Sequence, residues 1–169
     1  MSNRIFSFAP IIDESSEVLI LGSIPGVKSL EKQEYYGHPQ NVFWKIIFEL
    51  FAENVTDDYQ EKLEILKKHK IALWDVIDSC ERKGSLDSEI KNENANDILR
   101  LLEDYPNIKM IACNGQKSYK NLIKILGKNF AIPIVALPST SPLHTIPFQN
   151  KFEIWKQIKH PFLLKPSEG

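Results

Sequence analysis

Apolar residues in this chain fall into short unbroken runs and longer spaced stripes, and the two patterns alternate. Val18-Leu19-Ile20-Leu21 is an unbroken run closed by glycine, the pattern of a strand buried on both faces. Similar runs predict strands over 71–76, 108–113 and 134–137. Val42, Phe43, Ile46, Ile47, Leu50 and Phe51 instead recur at helical spacing, so a helix starts near Asn41. Helices are also predicted over 58–68, with Leu63 and Leu66 facing inward, over 116–126 with a stop at Gly127, and over 148–158. One more, near 95–102, takes Asn94 as its cap and ends around Pro106. Residues 22–40 and 79–93 read as long irregular loops, and the chain from Pro161 as a tail.

Strands alternating with helices predict an α/β fold, a three-layer α/β/α sandwich around a central, mainly parallel four-stranded sheet. A chain of 169 residues fits one such domain over 1–169. In open parallel sheets the ligand crevice lies outside the carboxyl ends of the strands. The irregular segments 22–40, 79–93, Asn114-Gly115 and 138–147 each follow a strand, so all four are expected there. No internal repeat or low-complexity segment is visible.

Composition narrows the class. With 43% hydrophobic and 25% charged residues the chain has a core to bury. It has no run of about 18 apolar residues and no basic-then-apolar leader, so a soluble cytoplasmic protein without membrane contact is expected. Cys80 and Cys113 are too few for a cysteine-ligated zinc or iron–sulfur centre; they read as reduced thiols in or near the core, and neither metal nor cofactor is expected. The net charge of −1 argues against a basic tail that coats nucleic acid. Its distribution is uneven: residues 106–151 carry six lysines and no acid, a charge of +6 that leaves −7 on the remainder. Such a stretch is either a solvated helix face or a one-sided field that would capture an anionic ligand.

Gly22-Ser23-Ile24-Pro25-Gly26 follows a strand, as phosphate loops do, but it lacks both the dinucleotide glycine spacing and a Gly-Lys-Ser/Thr ending. Read with Tyr35-Tyr-Gly-His-Pro-Gln-Asn-Val-Phe-Trp44, it resembles the first motif region of the uracil-DNA glycosylase superfamily. Leu137-Pro-Ser-Thr-Ser-Pro-Leu-His144 is similar to that superfamily's second motif, a Ser-Pro loop that enters the minor groove. Ile111-Ala-Cys-Asn-Gly115 looks like the strand whose last Asn reads the flipped base. Leu73-Trp-Asp-Val-Ile77 and Gly84-Ser-Leu-Asp-Ser88 are similar to its hypoxanthine-DNA glycosylase branch. Each piece is modest alone; in matching order, from about Val18 to Trp155, they are specific.

The resemblance implies a monofunctional DNA glycosylase of base excision repair that hydrolyses the bond to a deaminated base, with hypoxanthine favoured. Its partner would be double-stranded DNA, with single strands left open, and the protein a monomer. Two departures decide the branch. Ile24 stands where the uracil enzymes place a water-handling Asn or Asp, and Ser139 where their second motif often begins with His. The hypoxanthine branch is similar in lacking both. A mismatch-specific uracil or thymine glycosylase is the nearest alternative, and a base-sensing protein without chemistry another. No motif lysine is placed as an amine nucleophile, which argues against a lyase step.

The roles implied are these. Asn114 would read the base, unless it is simply a turn-forming Asn-Gly pair. Asn41 would position water or stabilise the leaving group while also capping its helix. Gly22, Ser23, Ile24 and Pro25 would wall the pocket, and Tyr36 would stack on the base or pack in the core. His38 would brace Asn41 or touch a phosphate. Ser139, Thr140 and Ser141 would bond phosphates or their own loop. Pro142 stiffens that loop and Leu143 would be a wedge in the vacated stack or an ordinary half-buried leucine. His144 is read as a phosphate contact or a solvent-facing ring, and Lys117 and Lys120 as within reach of the DNA backbone. Asp75 and Asp87 are read as structural hydrogen-bonding groups or as acids in other chemistries, at a spacing that fixes no metal.

Overall fold

The structure, a computed structural model, describes residues 4–163. Its strands in chain order are β1 (Arg4–Phe6), β2 (Val18–Gly22), β3 (Ile71–Asp75), β4 (Ile77–Glu81), β5 (Lys91–Ala95), β6 (Met110–Asn114) and β7 (Ile134–Leu137). Its helices are α1 (Val27–Lys32), α2 (Phe43–Leu50), α3 (Tyr59–Lys68), α4 (Ile98–Asp104), α5 (Gln116–Leu126), α6 (Phe148–Trp155) and α7 (His160–Leu163).

Every residue of β2 is buried, as a strand must be when it has neighbours on both edges and helices on both faces. It pairs with β3 on one side and β6 on the other, and β7 closes the sheet in the order β3-β2-β6-β7, all parallel. The period of two sends Val18, Ile20, Leu73, Met110 and Ala112 to a core shared with Phe43, Trp44, Ile47, Leu66 and Trp155. Leu19, Leu21, Ala72, Ile111 and Cys113 face the opposite core, with Ile98, Leu101, Leu102 and Leu122. Helices α2, α3 and α6 thus cover one face and α4 and α5 the other, the expected three layers.

The loop expected over 79–93 is a correction. Among the described residues a second, antiparallel sheet runs β1-β4-β5, and only the segment 82–90 between β4 and β5 lies outside its strands. Strand β5 reads Lys-Asn-Glu-Asn-Ala and is exposed at every position. It is held by backbone pairing and polar side-chain contacts and carries no apolar period to read. Asn94 accordingly lies in β5, donating to Ser79 Oγ at 3.1 Å, and α4 is capped instead by Asp97, which accepts from the Arg100 N–H. The segment 22–40 contains the short helix α1. Beyond α6, a 3-10 turn over Lys156–Lys159 leads into α7, where a tail was expected from 161; the rest of that tail lies outside the described residues. No described helix is long and apolar enough to cross a membrane.

Phe43 is fully buried, stacks on Tyr36 at 4.2 Å between ring centroids, and meets Trp155 edge-on at 5.8 Å. It joins the sheet's core to the loop that precedes α2. Phe43→Ala is expected to cost ~3–5 kcal/mol of stability in chemical denaturation, the range for emptying a core aromatic site.

Candidate functional site

Strand β2 hands the chain to β3 on one side, while β6 lies on the other, so the ends of β2 and β6 flank the sheet's topological switch point. A cavity of about 810 Å³ opens there, lined by Gly22 to Ser29, by residues before α2, by Asp75 and 85–88, and by Asn114 to Lys117 and 136–144. All four segments named from the sequence converge on it.

Asn114 ends β6 and is 8% exposed. Its Oδ1 accepts the Thr140 backbone N–H and its Nδ2 donates to Thr140 Oγ1, both at 3.0 Å. A backbone N–H can only donate, so this pair fixes which end of the carboxamide is oxygen. The oxygen keeps one acceptor site and the nitrogen one hydrogen for a ligand. Gly115 follows with φ +98°, and a side chain there would press on Ser139 at 3.3 Å, so both backbone and space call for glycine. The 138–144 loop is tied down elsewhere. Trp155 Nε1 donates to the Pro138 carbonyl, the Val42 N–H to that of Thr140, and buried Lys151 to that of Ser141. The Ser139 and Ser141 hydroxyls each accept the backbone N–H two residues on, which shapes the turn. Leu143 then stands 54% exposed at the rim beside His144, which is also exposed.

The opposite wall is two loops fastened together. Arg82, 6% exposed, donates to the Pro25 carbonyl at 2.7 Å and to that of Gly84 at 2.8 Å. Ser23 Oγ donates to Asp87 at 2.7 Å, and Ser85 Oγ accepts the Val27 N–H at 2.9 Å. The β4–β5 hairpin therefore carries residues 82–88 onto the Gly22–Gly26 loop. Ile24 is buried and packs into the α4–α5 core.

Between these walls sit Tyr36 Oη and Asp75 Oδ2, two buried polar atoms left without a hydrogen-bond partner among the described residues. A Cβ on Gly22 would stand 2.6 Å from Asp75 Oδ1 and 3.1 Å from Tyr36 Oη, so both groups lean over the end of β2. Burial, reinforced by Asp87 and opposed by Arg82, pushes the Asp75 carboxyl up to about 7. Burial also holds the Tyr36 phenol protonated far above its usual range, with Asp75 adding to the effect and the nearby Asn114 amide opposing it. Tyr36 has φ +55°, a left-handed backbone held by its stack on Phe43.

Comparison with known proteins matches residues 9–159 to the uracil DNA glycosylase superfamily. The chain belongs to that superfamily. Among its relatives is a hypoxanthine DNA glycosylase of Methanosarcina barkeri, 43% identical over 123 residues that are 71% of this chain and 78% of that one. Another, from Methanosarcina acetivorans, is 38% identical over 154 residues, 89% and 95% of the two chains. The solution NMR structure of a candidate uracil DNA glycosylase from Methanosarcina acetivorans superposes with a TM-score of 0.79 at 37% identity, covering 93% of this chain and 98% of that one.

In this superfamily member Gly22, Ser23, Ile24, Pro25, Tyr36, His38, Asn41, Asn114, Lys117 and 139–144 all line the one cavity. Lys120 is exposed and lies outside the lining. Lys117 is not a free cation, since its Nζ is 2.6 Å from Glu93 on β5. Asn41 Oδ1 accepts the Phe43 N–H at 2.9 Å, which leaves its Nδ2 unbonded among the described residues. His38 braces the same turn: its carbonyl accepts the Asn41 N–H and its Nδ1 accepts that of Gln40. Arg82 and Lys151 were not singled out as site residues. No spacing distinguishes them from surface cations, and only the tertiary fold buries them.

Two outcomes follow. Thr140→Val removes the hydroxyl that receives the Asn114 amide and is expected to cost ~1–3 kcal/mol by urea denaturation, with Thr140→Ser close to neutral. Because the Asp75 carboxyl is raised on folding, the native state binds the extra proton between about pH 4 and 7 and loses stability as pH rises through that window. Asp75→Asn should therefore raise the melting temperature at pH 8 by roughly 2–8 °C, for ~1–2 kcal/mol, and by less at pH 5.

Proposed function

We propose that this protein is a hypoxanthine DNA glycosylase that removes the deaminated base from deoxyinosine in double-stranded DNA by hydrolysis. The observation that carries the reading is the pinned carboxamide of Asn114. Its spare Nδ2 hydrogen faces a ligand that offers C=O. Hypoxanthine offers O6 there, whereas adenine and cytosine present an amino group and would meet donor with donor. Uracil shares the hypoxanthine pattern, so Asn114 alone accepts either. The names of both curated relatives and the absence of a polar group at Ile24 favour hypoxanthine.

A base can reach the cavity only if it is extruded from the duplex. Exposed Leu143, on a loop fixed at three points, is placed to fill the gap it leaves. Ser139, Ser141 and His144 border the path of the flanking phosphates. The 138–144 loop carries no acid, which suits an anionic strand. Asn41 holds its oxygen on the helix and offers its Nδ2 to the reacting end of the base or to the attacking water. No lysine is needed, and the product is an abasic site without strand scission.

The test is incubation with duplexes containing hypoxanthine, uracil or xanthine, followed by alkali. Alkali-dependent breaks at hypoxanthine are expected, and none there would overturn the reading. Asn41→Ala should lower the single-turnover rate by about 10²–10³-fold with little change in duplex affinity. Asn114→Ala should abolish release, and an unaltered substrate profile would remove its base-reading role.

A further inference from the structure

Asp75 is a cavity residue whose chemistry the preceding reading leaves unused. It ends β3, is 4% exposed, and belongs to the cavity lining. Its Oδ1 leans over Gly22 and its Oδ2 has no partner among the described residues. The charged and titratable groups around it are Asp87 on the rim, Arg82 beneath the loop, Tyr36 across the end of β2, and Tyr35 beside it. Arg82 donates to the carbonyls of Pro25 and Gly84 and makes no salt bridge to Asp75. A carboxyl so placed has a buried oxygen that no protein donor satisfies, and the neutral acid relieves that deficit.

The register sets the distance to Asn114. Gly22 is directly across from Asp75, and β6 is the next strand over. Asp75 and Asn114 therefore end strands about 9–10 Å apart, two inter-strand spacings, with the carboxyl leaning inward. A purine whose O6 accepts from Asn114 Nδ2 extends its five-membered ring sideways along the sheet edge. A pyrimidine has no such ring and no acceptor at that end.

We infer that Asp75 is the catalytic acid that donates its proton to N7 of the departing purine. This rests on the hypoxanthine reading above. As the C1′–N9 bond breaks, its electron pair passes into the purine ring while the Asp75 proton forms the N7–H bond. The base leaves neutral. Water adds to C1′ and releases one proton, and the Asp75 carboxylate takes up a proton from solvent. Acid catalysis of the leaving group gives this chain a lever that uracil chemistry, without an N7, cannot use. The raised carboxyl of the free protein suits the task, since the acid form is the working form and is lost as pH rises past about 7.

The experiment compares hypoxanthine with 7-deazahypoxanthine, which keeps the Asn114-facing edge and lacks N7. Single-turnover release is measured with wild-type protein and with Asp75→Asn. Wild type should release the deaza base about 100-fold more slowly, and Asp75→Asn should lose about 100-fold on hypoxanthine with little further loss on the deaza base. The alkaline fall in rate above about pH 7 should vanish in Asp75→Asn. Equal wild-type rates on both bases would overturn the proposal without any variant having to fold. An equal loss by Asp75→Asn on both bases would also overturn it, by showing a merely structural role. Absence of hypoxanthine release by wild type would instead refute the underlying function.

Discussion

The two hydrogen bonds between Asn114 and Thr140 set the geometry from which the rest of the site takes its meaning. A terminal amide turns freely in water, and an amide free to turn matches either order of donor and acceptor. Here the backbone N–H of Thr140 removes that freedom, because no rotation makes it an acceptor. The constraint holds only if Thr140 itself is fixed. Trp155, Lys151 and Val42 supply that by holding the carbonyls of Pro138, Ser141 and Thr140. The orientation of the carboxamide is therefore a property of three elements, β6, α6 and the start of α2. The carboxamide is the point at which they meet.

The same elements explain why the buried charges lie where they do. A parallel sheet covered on both faces is apolar along its strands and polar only at the strand ends. Asp75 and Asn114 occupy such ends, and Gly22 between them leaves the space over which Asp75 and Tyr36 lean. Arg82 and Lys151 are buried on opposite walls, each spending its hydrogen bonds on loop carbonyls rather than on carboxylates. Their charge is thus not cancelled by an ion pair at the site. The arrangement costs stability, and a cavity beside both walls is where such a cost is consistent with function.

Much of this was legible in the chain, and the limits are physical. The four parallel strands were readable because burial on both faces leaves unbroken apolar runs such as Val18 to Leu21. The segments that line the cavity could be named because a parallel sheet puts all its strand ends on one side. The second sheet was hidden, since β5 is exposed throughout and its backbone pairing imposes no side-chain period. The burial of Arg82 and Asp75 was hidden for a related reason. Whether a charge is solvated or sealed depends on neighbours some 60 residues away in the chain, as with Arg82 and Pro25. Asn94 misled because an Asn before an apolar stretch caps a helix or pairs in a strand with equal ease, and here Asp97 lay closer.

Ile24 shows how one apolar position redistributes the chemistry of the whole pocket. At that place a polar side chain would face the cavity from the loop after β2 and bring its own hydration. Ile24 is instead 7% exposed and packed against the α4–α5 core, so it adds apolar surface beside the cavity. Apolar surroundings lower the local dielectric, which strengthens dipoles and penalises an ionised carboxyl. The Asp75 carboxyl, at the neighbouring strand end, is driven by burial toward its neutral form. On the proposed function, an apolar side chain at position 24 in place of a water-activating group favours a route that stabilises the departing base over one that sharpens the attacking water. A purine, with a ring nitrogen ready to accept a proton, is the kind of base for which that route exists.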